Sequence, residues 1–82
     1  MKNFINLAKK EGFDFVVDKQ NDCFEILENN YSLGIFSNND INNLIKELKE
    51  FIMDCDMLLD FYIIEAYQSL IKLAIKAEQM EA

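Results

Sequence analysis

The chain has 82 residues, of which 51% are apolar and 28% charged, with two Gly and no Pro, and this is the composition of one compact folded domain spanning residues 1–82 rather than of a disordered segment. Fifteen acidic residues against eight basic ones give a net charge of −7, and every basic residue is Lys, so clustered phosphate contacts and guanidinium base readers are missing and nucleic acid is not an expected partner. The lack of His, Arg and Trp removes the commonest general base and much of the usual transition-state machinery, so neither catalysis nor a cofactor is expected.

Near the N-terminus, Phe4, Ile5, Leu7 and Ala8 recur at helical spacing. Lys9 and Lys10 sit where a helix dipole favours cations, and Gly12 suits the residue beyond a helix end. The pattern predicts a first helix over residues 3–11. Phe13, Phe15 and Val17 then alternate with Asp14, Val16 and Asp18, and a Lys19-Gln20-Asn21-Asp22 turn leads to a second alternating run from Cys23 to Glu28. Asn29-Asn30 tolerates positive φ and suits a two-residue hairpin loop before a third strand over 31–36. With loops of four and two residues, Phe15, Ile26 and Leu33 fall in one row and Val17, Phe24 and Ile35 in the next. Both hairpins then agree on one apolar face.

Ser37-Asn38-Asn39-Asp40 has the form of a capping box, with Ser37 as the cap of a following helix. Apolar residues recur from Ile41 through Ile45, Leu48 and Ile52 to Ala77, and neither Gly nor Pro follows Gly34. A single helix over 38–80 would be roughly 65 Å long, far wider than a three-stranded sheet. A break is therefore expected at Asp54-Cys55-Asp56, where an Asp can cap a last helix over about 57–80. The fold class is α+β: a three-stranded antiparallel meander packed against an N-terminal helix and one long or two shorter C-terminal helices, in the order α-β-β-β-α-α.

Three features invite a functional reading. The first is the segment 57–77, apolar at fifteen of twenty-one positions. Tyr62, Ile63, Ala66, Leu70, Leu73 and Ala77 form a facet for packing on the sheet, which leaves Ile64, Tyr67, Ile71 and Ile75 as a second strip that either joins the core or meets another surface. The second is negative charge. Asp14, Asp18, Asp22, Glu25 and Glu28 lie on or near the hairpins, and Glu47, Glu50 and Asp54 share one face of the capped helix. They either solvate the surface or meet a basic groove on a partner. The third is Asp54, Asp56 and Asp60, which fail the calcium-loop pattern because Leu58 and Leu59 occupy positions that need an oxygen ligand and Gly. No metal is expected.

Cys23 and Cys55 have 31 residues between them, which matches no zinc or redox spacing, and both read as free thiols. The N-terminus lacks the pattern of a secretory signal, and Asp60, Glu65, Lys72 and Lys76 weigh against a membrane span, so the expected location is cytoplasmic, in the host cell if the chain is phage-encoded.

In size, acidity and α-β-β-β-α-α order, the span from Asn3 to about Ala77 resembles the phage-encoded anti-CRISPR proteins, one group of which blocks an RNA-guided nuclease at its site for the short duplex motif beside the target. The likeness is one of architecture, with no shared motif. It implies a stoichiometric inhibitor whose carboxylates, among them Asp14, Asp18, Glu25 and Glu28, meet Lys and Arg of a nucleic-acid-processing complex. This chain is less charged and has a more apolar last helix, which favours a mixed interface with Ile64, Tyr67, Ile71 and Ile75 as its apolar anchor. The alternative expectation is a homo-oligomeric structural or regulatory protein that uses the same strip to contact itself as a dimer.

Overall fold

In a computed structural model, residues 1–38, 40–54 and 61–81 are described. Helix α1 spans Lys2–Lys10 and turns Phe4 and Ala8 inward. It stops where Gly12 takes φ +100, with the Glu11 and Gly12 amides donating to the carbonyls of Ala8 and Lys9 at 3.0 and 3.2 Å. Only glycine reaches that backbone region at low cost.

Strands β1 (Phe13–Asp18), β2 (Cys23–Glu28) and β3 (Tyr31–Ser37) form an antiparallel sheet in sequence order. Asn29 and Asn30 both have positive φ, 52 and 66, as a two-residue hairpin turn with the right twist requires. The β1–β2 register pairs Phe15 with Ile26, Val17 with Phe24 and Asp18 with Cys23, in agreement with the spacing argument. The β2–β3 register departs from it. Glu28 does pair with Tyr31, but Ile26 pairs with Gly34 and Phe24 with Phe36, because an irregularity at Ile26/Leu27 makes Leu33 an extra residue on β3. Gly34, at φ +133, absorbs the distortion, the usual role of glycine in a bulge. Leu33 and Phe36 both become buried, and Ile35, expected in the core, is instead 63% exposed on the outer face.

Helix α2 runs Ile41–Asp54 and α3 Phe61–Glu81. The two are separate helices, and the longest dimension of the molecule, 36 Å, leaves no room for a continuous one. Residues 55–60 lie outside the described residues, and with them Cys55, Asp56, Asp60 and the expected cap of the last helix. The capping box at Ser37 does not form. Ser37 belongs to β3, and Asp40 caps α2 directly, its Oδ1 accepting from the Asn43 amide at 2.8 Å. The extra residue consumed by the bulge carries β3 one position further, so Ser37 pairs with Cys23 in the sheet rather than capping the helix.

All three helices lie on one face of the sheet: α1 packs on β1 and α3, and α2 packs on β3 and α3. Between the layers, Phe4, Phe24, Phe36, Ile26, Leu44, Leu48 and Leu70 are completely enclosed, each burial stabilising the fold by about 1.5–3 kcal/mol before entropy is counted. Aromatic rings run through this core from Phe4 by way of Phe15, Phe24 and Phe36 to Phe51 and Tyr67, with centroids 4.9 to 6.5 Å apart. Among the described residues no buried side-chain polar atom lacks a partner. No helix among them is long and apolar enough to cross a membrane.

Candidate protein-docking surface

Strand alternation places Asp14, Val16 and Asp18 of β1 and Cys23, Glu25 and Leu27 of β2 on the sheet face opposite the helices. Across β3 this face continues through Ser32, Ile35 and Ser37 by register. An antiparallel sheet can leave one face open in this way. Its central row is Val16–Glu25–Ile35: a half-buried carboxylate between two aliphatic side chains that are 57% and 63% exposed. The Ser32 hydroxyl donates to Glu25 Oε2 at 2.7 Å, which fixes the carboxylate on the sheet.

Asp14 is exposed on this face. Asp18, at its margin, organises the β1–β2 turn: Oδ1 accepts from the Gln20 and Asn21 amides at 3.1 and 3.2 Å, and Oδ2 from the Asn21 side-chain amide at 2.8 Å. The Asn21 side chain first, and then its backbone N–H, hold the Asp18 carboxyl below its ordinary pKa. Glu28 is separated from the other three carboxylates. Its place in β2 points it to the helix side, where it accepts a hydrogen bond from the Tyr62 hydroxyl. That bond, followed by desolvation, raises the Tyr62 pKa above its usual value. The structure thus unites Asp14, Asp18 and Glu25 on one face and puts Glu28 on the other.

The expected apolar strip of α3 is also divided. Tyr67 is 6% exposed, and its hydroxyl donates to the Leu33 carbonyl while its ring packs on Phe36 and Phe51. Ile64 and Ile71 are half-buried, and Ile75 is exposed. Helix α2 packs along α3 and takes up the flank that the wheel leaves over, so Tyr67 is a core residue and cannot anchor a partner. Tyr62, placed by the wheel in the packing facet, is exposed.

Two grooves flank the helix layer. One, of about 360 Å³, lies between the end of α1, β1 and α3, with Phe13, Ala66 and Leu73 below and Glu11, Glu28, Glu65 and Lys72 around it. The other, of about 390 Å³, lies between β3 and α2 and is lined by Cys23, Ile35, Phe36, Phe51 and the carboxylates Glu47, Glu50 and Asp54. Cys23 and Ile35 belong to both this groove and the open face, so the two surfaces are continuous. Cys23 is a free, half-buried thiol. Periodicity alone overlooks Val17, Ile35 and Phe51 as exposed residues, although Gly34 inside a strand pattern is the signal that moves Ile35 outward.

No cluster of three or more His, Cys, Asp or Glu among the described residues is arranged to hold a metal ion. Comparison of the chain with protein-family models, with curated proteins and with solved structures returns no match.

Proposed function

We propose that this chain is a protein-interaction module that acts by binding rather than by catalysis. In its most specific form it is a phage-type stoichiometric inhibitor of a host nucleic-acid-processing defence complex. The observation that carries the reading is the mosaic on the open sheet face, where exposed Val16 and Ile35 flank a fixed Glu25 carboxylate beside Asp14 and Asp18. A face of that kind combines apolar contact area with a negative field, which steers a basic partner and opposes wrong ones. The net charge of −7 gives the same sign to the long-range field. The inhibitor form rests on the resemblance in size, charge and element order. Its test is capture of a partner on the immobilised protein, followed by addition of DNA or RNA. Release of the partner by nucleic acid supports competition for a nucleic-acid site, and retention removes it.

Exposed Ile75, with half-buried Ile64 and Ile71 beside it, favours a second reading in which α3 meets a second copy. Light scattering decides it. A dimer converted to monomer by Ile75→Asp supports self-association, and a wild-type monomer opposes it.

A further inference from the structure

We propose that the groove between β3 and α2 is the docking position for an arginine side chain of the partner protein, an inference that rests on the interaction reading above and gives it an address. On α2, Glu47, Glu50 and Asp54 follow one another at spacings that align them in a single stripe, and Phe51 stands within it. All four line the groove with Ile35 of β3, and no Lys is among its lining residues. Like charges at that helical spacing repel, a cost that a cation placed between them relieves.

Phe51 is held in position for such a guest. Its ring packs edge-on against Phe36 at 4.9 Å and tilted against Tyr67 at 5.8 Å, yet 38% of the residue stays exposed. Glu47 ties α2 to the end of β3: Oε2 accepts from the Ser37 amide at 3.2 Å and Oε1 from the Asn43 side chain at 3.3 Å. That leaves Glu50 and Asp54, both exposed, as the carboxylates facing outward. An anchored aromatic ring beside two outward carboxylates suits a planar guanidinium, which stacks on the ring and donates a fork to a carboxylate. Ile35, 63% exposed at the groove wall, receives the aliphatic stem. A lysine ammonium meets the charge but forgoes the stacking, and a second copy of this acidic chain brings its own net charge of −7 against the carboxylates.

The experiment is a titration of ¹⁵N-labelled protein with a short capped peptide carrying one arginine between leucines, alongside the same peptide with citrulline in place of arginine. The expected result is amide shifts concentrated at Ile35, Ser37, Glu50 and Phe51, weaker by about five- to tenfold with citrulline and with Phe51→Leu. Shifts spread evenly over all the carboxylates, an equal response to citrulline, or no response at all would each overturn the groove assignment. A Glu50→Gln/Asp54→Asn variant keeps the ring and removes the charge, and unchanged binding by that variant also overturns it. Failure of the groove and failure of the interaction reading are separable. A partner captured equally by wild type and by the Glu50→Gln/Asp54→Asn variant rejects the groove alone, whereas a wild-type chain that captures nothing rejects the reading beneath it.

Discussion

The Tyr67 hydroxyl of α3 donates a hydrogen bond to the carbonyl of Leu33, the residue that the bulge adds to β3. One side chain thus ties the last helix to the point where the sheet departs from regular pairing. Tyr67→Phe keeps the ring contacts with Phe36 and Phe51 and deletes this donor. Urea unfolding should show a loss of about 1–2 kcal/mol, the cost of a buried carbonyl deprived of its partner.

Gly34 carries the backbone strain of the same bulge at φ +133, and a Cβ there would find only ordinary contacts, the nearest being the Phe36 ring at 3.5 Å. The penalty for Gly34→Ala therefore comes from the backbone rather than from a clash. A loss of about 1–3 kcal/mol in thermal or urea unfolding is expected.

Asp40, not Ser37, satisfies the first turn of α2. Asp40→Ala should cost about 1 kcal/mol. Ser37→Ala should change stability by no more than a few tenths, because Ser37 contributes its backbone amide to Glu47, and alanine keeps that amide. Equal losses from the two substitutions in parallel denaturant titrations would contradict this assignment.

Asp18 supplies a pH dependence. Its folded pKa lies below the ordinary carboxylate value because the Asn21 side chain and the turn amides bond the charged form. Its stabilising contribution is therefore complete above the unfolded pKa, near pH ~4, and is lost as pH falls through the lower folded value. Asp18→Asn should flatten the acid limb of stability against pH in that window and leave the neutral range with little further slope.

Much of the architecture is legible in the residues. Asn29-Asn30 specifies its turn by tolerance of positive φ, and the four-residue loop after Asp18 sets the first hairpin register, because in both places local chemistry decides the pairing. The second register is not legible from alternation, since Tyr31-Ser32-Leu33-Gly34-Ile35-Phe36 offers two phases and only three-dimensional packing selects the one that buries both Leu33 and Phe36. Gly34 is the one local hint. The surface is harder to read. A helical wheel shows that α3 has two apolar flanks but not that α2 will cover the one bearing Tyr67, and Glu28 joins the other hairpin carboxylates in sequence while facing the opposite side of the sheet.

We propose the open sheet face around Glu25 as the surface that meets a partner. Calorimetric titration of a captured partner against wild type and against Glu25→Lys, with native folding of both checked by circular dichroism, measures this. The variant should bind at least about tenfold more weakly, a loss of about 1.4 kcal/mol, with a flatter dependence on salt. Equal affinity and equal salt dependence for the two proteins would contradict the claim.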